Sequence, residues 1–92
     1  MDPETAHELA IELNRNWKVW SDLERGAVVV ALRDYGVSHR KLAKIAGCSE
    51  GLIRNIEIVG LLPHHWKQYL LDGHSTRRVV AAWRKRRAQE QE

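Results

Sequence analysis

The side chains best suited to do chemistry in this 92-residue chain lie between Ser38 and Asn55. Arg54 carries a planar guanidinium that can donate to guanine O6 and N7 together. The Asn55 amide can pair in the same bidentate way with adenine N6 and N7. Each such pair contributes about 1–3 kcal/mol of discrimination between bases. Arg54 can alternatively hold a phosphate. Glu50 can accept from a cytosine amino group, or can simply favour a helix N-terminus. Ser49 and Gly51 complete this run, and Gly51, having no side chain, either admits a DNA backbone or marks a position of low constraint. Earlier in the chain Ser38, His39, Arg40 and Lys41 coincide at a helix start, where free N–H groups and the helix dipole favour phosphate. Lys44 follows one turn later. The chemistry of this set is recognition of double-stranded DNA, with bases met by Ser49, Glu50, Gly51, Arg54 and Asn55.

Such residues act together only if two short helices hold them, and residues 38–60 have the spacing to build both. Ser38 can cap a first helix whose Leu42, Ala43, Ile45 and Ala46 turn inward. Gly47 supplies the positive φ of a sharp helix-to-helix turn. Ala43, four residues before it, is small enough for the helices to approach closely. Ser49 caps the second helix, and Ile53 and Ile56 lock it onto the first, leaving Arg54 and Asn55 outward. Cys48 follows the turn where a small apolar residue fits. This is a helix-turn-helix, the arrangement in which the second helix enters the major groove.

The remaining chain supplies helices to support it. Residues 3–17 follow a capping Asp2 and carry Ala6, Leu9, Ala10, Leu13 and Trp17 on one stripe, with Trp20 beyond; their opposite face is acidic and predicts no DNA contact. Ser21-Asp22-Leu23-Glu24 matches a capping box opening a core helix to Tyr35, ended by Gly36, and Leu23, Ala27, Val30 and Ala31 with the flanking Val28 and Leu32 make it the most hydrophobic segment. Gly60 closes the helix-turn-helix. Pro63 begins a helix over 63–72, with Trp66 and Leu70 on one side and Tyr69 near the edge, stopped by Asp72-Gly73. Ser75 or Thr76 caps a last helix over 75–88 with Val79, Val80 and Trp83 inward, before a polar tail over 89–92. No internal repeat and no strand-like alternation interrupt the pattern. The expected fold is therefore all-α, a compact five- to six-helix domain over residues 1–92.

Composition narrows the function classes. Hydrophobic residues make up 43% and include four Trp but no Phe, so Trp17, Trp20, Trp66 and Trp83 supply the bulk of a small core. The longest apolar run, 27–32, is too short to span a bilayer, and no signal peptide is apparent. A single Cys48 excludes an internal disulfide and a cysteine-only zinc site, which makes the cytoplasm the expected compartment. His64 and His65, adjacent on a helix, diverge by roughly 100° and do not converge on one ion. No nucleophile–base or metal set is visible, so neither turnover nor a cofactor is expected. Net charge is +3, unevenly spread. Residues 1–24 hold two basic and six acidic residues, a net of −4, and the remainder thirteen basic and six acidic, a net of +7. A basic body of this kind suits a polyanion, although a solvated surface has the same charge.

The order of landmarks along residues 37–83 also resembles a known domain. Leu42-Ala43-Lys44-Ile45-Ala46-Gly47-Cys48-Ser49, then Arg54-Asn55-Ile56, Leu61-Leu62-Pro63 and Leu70-Leu71-Asp72-Gly73-His74-Ser75 are similar to the central DNA-binding domain of the ParB/KorB plasmid and chromosome partition proteins. The resemblance implies a DNA-binding module, free-standing or cut from something larger, associated with nucleoid or plasmid. It also implies that Arg77 and Arg78 lie beside DNA and contact phosphate. Arg84 to Arg87 either extend that footprint or form a soluble terminus. The family's nucleotide-binding domain with its arginine-rich motif, and its C-terminal dimerisation domain, have no counterpart in this sequence, and no Walker loop is present. Nucleotide turnover and spreading on DNA are accordingly not implied.

The expectation is sequence-specific binding of double-stranded DNA, by a partition-site binder or a small transcriptional regulator. A single module has a small footprint, so a homodimer or a larger protein partner is expected to assist, through the acidic first helix or an exposed Trp face. The competing expectation is a helical protein-interaction adaptor that does not read DNA.

Overall fold

The computed structural model describes residues 1–90 and is all-α, with six helices and no strand among the described residues. The chain divides into two compact units, Met1–Leu61 and the residues from Leu62 onward, where the sequence pattern predicts one domain over 1–92.

The first unit contains α1 (Pro3–Asn16), α2 (Asp22–Tyr35), α3 (His39–Ala46) and α4 (Glu50–Leu61). Local chemistry sets their starts. Asp2 caps α1 by accepting from Thr5 N–H at 2.7 Å, with Pro3 in the first turn. The capping box of α2 is complete: Ser21 Oγ accepts from Glu24 N–H at 3.2 Å and Glu24 Oε1 accepts from Ser21 N–H at 3.4 Å. The core that these helices enclose is built on Leu13, Trp17, Val29, Leu32, Leu42, Ala43, Ile53 and Ile56, with Ala6 at its edge. Full burial of each large aliphatic side chain contributes about 1.5–3 kcal/mol. The predicted α1 stripe is the buried one, and Trp20 packs partly buried against the same core. Helix α4 rests mainly on α2 and secondarily on α3, while α1 lies against α2 and α3.

Two features of this unit have one cause. The inward face of α2 is Gly26, Val29 and Leu32; Ala27 is exposed, while Leu23, Val30 and Ala31 are half-buried. Gly60 does not end the helix-turn-helix but lies within α4, which runs on to Leu61. Gly26 and Gly60 meet where α2 and α4 cross. A Cβ on Gly26 would lie 2.7 Å from Gly60 N, and one on Gly60 would lie 2.6 Å from Val30 Cγ2 and nearer still to Gly26 O. Backbone packs directly on backbone, so the contact strip follows the glycines and not the largest side chains.

The second unit contains α5 (His64–Leu71) and α6 (Thr76–Glu90), packed on each other. Pro63 stands at the start of α5, Asp72 and Gly73 end it, and Ser75 Oγ caps α6 by accepting from Arg78 N–H at 3.3 Å. Leu62, Val79 and Val80 are buried, and Trp83 is half-buried with the Arg87 guanidinium 5.3 Å from its ring centre. Trp66 and Tyr69 form a tilted pair with centroids 5.6 Å apart, and His74 meets the Tyr69 ring edge-on. With Arg78, Val79 and Ala82 these three rings line an open groove of about 530 Å³. Helix α6 continues to Glu90, past the start of the predicted tail at residue 89; residues 91 and 92 of that tail lie outside the described residues.

Candidate nucleic-acid interface

Helices α3 and α4 meet at Gly47, whose φ of 74° is left-handed. Gly47 N–H and Cys48 N–H both donate to Ala43 O, at 2.9 and 3.0 Å. One terminal carbonyl of α3 is thereby satisfied within the turn. Asn14 Nδ2 of α1 donates to Ile45 O at 2.8 Å and satisfies another terminal carbonyl of α3. Cys48 is half-buried against the core, and burial pushes its thiol pKa up more than the Arg25 charge draws it down, which leaves the sulfur a poor nucleophile.

Ser38 and Ser49 serve as caps. Ser38 Oγ accepts from Lys41 N–H at 3.1 Å and Ser49 Oγ from Leu52 N–H at 3.1 Å. On α3, Arg40, Lys41 and Lys44 are exposed and form no ion pair among the described residues. On α4, Ile53 and Ile56 are buried, so Gly51, Arg54 and Asn55 are left on the exposed side. Arg54 Nη2 lies 3.5 Å from Glu50 Oε2 across one turn, with Arg54 exposed and Glu50 half-buried. Glu50 and Arg54, expected to read cytosine and guanine separately, are thus brought together as a pair. Arg77 and Arg78 are exposed in the first turn of α6, in the second unit, with no ion pair among the described residues.

The His39 ring, expected at a phosphate, has its Nε2 2.9 Å from Glu57 Oε1 and is half-buried. Glu57 Oε2 accepts from Arg33 Nε at 3.0 Å, and Arg33 Nη1 reaches Val37 O at 3.0 Å. One carboxylate on α4 therefore ties together α2, the link to α3, and the start of α3. Burial pushes the Glu57 carboxyl pKa up, but hydrogen bonds from His39 and Arg33 and their charges outweigh it, and the net displacement is downward. Sequence reasoning does not single out Glu57 or Arg33. Their partners are remote in the chain, and an exposed-looking Glu on a polar helix face has no local signal of such a role.

Arg25 plays a comparable part beneath α1. Its Nε donates to Trp17 O at 2.6 Å, its Nη1 pairs with Asp22 at 2.9 Å, and its guanidinium lies 4.7 Å from the centre of a Trp17 ring. The bonds to Trp17 and Asp22 fix the α1–α2 corner and leave the α3–α4 surface to Arg40, Lys41, Lys44 and Arg54. Among the described residues no cluster of three or more His, Cys, Asp or Glu side chains could hold a metal ion, and no helix is long and apolar enough to cross a membrane. Comparison with protein-family models, with curated proteins and with solved structures finds no match.

Proposed function

We propose that the chain binds double-stranded DNA through the α3–α4 pair, with the first turns of α4 in the major groove. The observation that carries this is the exposed polar start of α4. It presents Gly51, Arg54 and Asn55 outward while Ile53 and Ile56 anchor the opposite side, next in sequence to a capped α3 whose cations lack ion-pair partners among the described residues. Arg54 and Asn55 serve as base readers. Arg40, Lys41 and Lys44, with Arg77 and Arg78 from the second unit, supply phosphate contacts that position and attract without reading sequence. Glu50 acts on Arg54 in preference to a base, and His39 acts through Glu57 within the motif. The finer role follows the resemblance to the partition proteins' central domain: a partition-site binder or a small regulator, assisted by a second copy on an inverted repeat, with no turnover of nucleotide.

Titration of a labelled duplex at about 50 and about 200 mM salt tests the proposal, because cations that neutralise phosphate release counterions. Binding should weaken steeply with salt. Lys41→Ala should weaken all sequences alike and lower the salt slope by about one, whereas Arg54→Ala should remove about 1–3 kcal/mol of preference for one base pair. No salt-sensitive binding to any duplex would leave the protein-interaction adaptor as the better reading.

A further inference from the structure

The chain has six glycines, and the fold explains five of them. Gly36, Gly47 and Gly73 have φ of 109°, 74° and 98° at helix ends. Gly26 and Gly60 face each other where no Cβ fits. Gly51 belongs to neither group. It lies in the first turn of α4 without a positive φ, it is exposed, and a Cβ there would meet only Ser49 Oγ at 3.9 Å, an ordinary contact. Glycine within a helix is less stable than alanine, because its unfolded backbone has more freedom to lose. Folding therefore gains nothing from the missing side chain.

The position of Gly51 points to a ligand as the reason. At about 100° per residue, Gly51 projects between Arg54 and Asn55, roughly 60° from the first and 40° from the second. One long and one short polar side chain thus border a strip of bare backbone, and Glu50 holds the Arg54 side.

We propose that Gly51 is a specificity-determining position at which the α4 backbone itself meets duplex DNA in van der Waals contact. This rests on the proposed DNA-binding function and assigns the depth of docking to one residue. The missing Cβ lets α4 sit deep enough for Arg54 and Asn55 to reach base edges at hydrogen-bond distance. A methyl group there lifts the helix, and hydrogen bonds to bases break before longer-range attraction to phosphate fades, since the former depend steeply on distance. The signature is a chain that becomes more stable and binds less well.

The test uses the full chain and a labelled duplex of about 30 base pairs, three helical turns, recovered by selecting a random-sequence pool on the wild type. Thermal melting and titration are compared for wild type, Gly51→Ala and Gly51→Val. Gly51→Ala should melt higher than wild type, bind the selected duplex about tenfold more weakly, and bind an unselected duplex almost unchanged. Gly51→Val should bind the selected duplex more weakly again. A wild type that binds while both variants keep its affinity and preference overturns the role of Gly51 and leaves the DNA-binding reading standing. A Gly51→Ala chain that melts lower than wild type also overturns it, since the glycine would then serve the fold. A wild type that binds no duplex overturns both.

Discussion

Glu57 illustrates how a single side chain can hold the α3–α4 pair in shape. Its two carboxylate oxygens are taken by Arg33 on α2 and His39 on α3, so α4 is tied to both helices by one ionised group. The carboxyl pKa is lowered in the folded chain, from an ordinary value of 4.5, despite burial acting in the other direction. A lowered carboxyl pKa stabilises the fold above the unfolded value, and that contribution disappears as pH falls through the folded one. Asp2 acts in the same direction, its pKa being lowered by hydrogen bonds from Thr5. The informative quantity is therefore the difference between wild type and Glu57→Gln. At about pH 7 the variant should be less stable by about 1–3 kcal/mol, because the amide keeps one acceptor oxygen but turns an NH2 toward the other half-buried donor. The gap should close as pH falls through the lowered pKa of the folded chain, where the wild-type carboxyl is itself protonated. Melting curves recorded across that range check it; two curves that run parallel would show that the ionised form of Glu57 contributes nothing.

Between elements, the α2–α4 crossing is the contact on which the proposed reading helix rests. A Cβ at Gly26 would meet backbone atoms of Gly60 and Ile56, which cannot rotate away, so the helices must separate. Gly26→Ala and Gly60→Ala should each lower stability by about 1–3 kcal/mol in spite of the better helix propensity of alanine. Denaturant titration would read this as a lower midpoint with an unchanged slope. The opposite sign at Gly51 in the same assay separates glycines that serve the fold from the one that does not. The crossing also marks where sequence reasoning reaches its limit. Ser21, Ser38, Gly47 and Ser49 are legible because caps and left-handed turns are made by chemistry within a few residues. Counting from Gly47 places Arg54 and Asn55 outward, with Ile53 and Ile56 as the anchor. Gly60 reads as a stop because a glycine near a helix end has that local meaning. Its actual role depends on Gly26, far back in the chain, and no periodicity couples the two. The exposure of Ala27 follows from the same hidden contact, as does the burial of Val29. The first turn of α3 suggests a phosphate for His39, whereas its pairing with Glu57 depends on how α4 packs.

On the scale of the whole molecule, charge is divided against the expected direction. Met1–Leu61, which carries the proposed reading helix, holds eight basic and nine acidic residues, a net of −1. The rest holds seven basic and three acidic residues, a net of +4. The proposed function thus draws base contacts from the first unit, and long-range attraction from the basic stretch as well as from Arg40, Lys41 and Lys44. A nearly neutral reading unit gains little from steering, and the basic stretch can raise the local concentration of DNA around it. Arg84, Lys85, Arg86 and Arg87 are the densest part of that stretch, although Arg86 already pairs with Glu90 at 3.3 Å and Arg87 covers Trp83. Replacing all four with glutamine keeps good helix formers and changes the net charge from +3 to −1. If the segment contributes attraction, the slope of log affinity against log salt should fall by about 0.9 for each phosphate that is no longer neutralised. Association at low salt should slow while the preferred sequence stays the same, because Arg54, Asn55 and Gly51 are untouched. Circular dichroism would verify that α6 persists. An unchanged slope would identify the run as a solvated helix end, and would leave Arg40, Lys41 and Lys44, with Arg77 and Arg78, to supply the attraction.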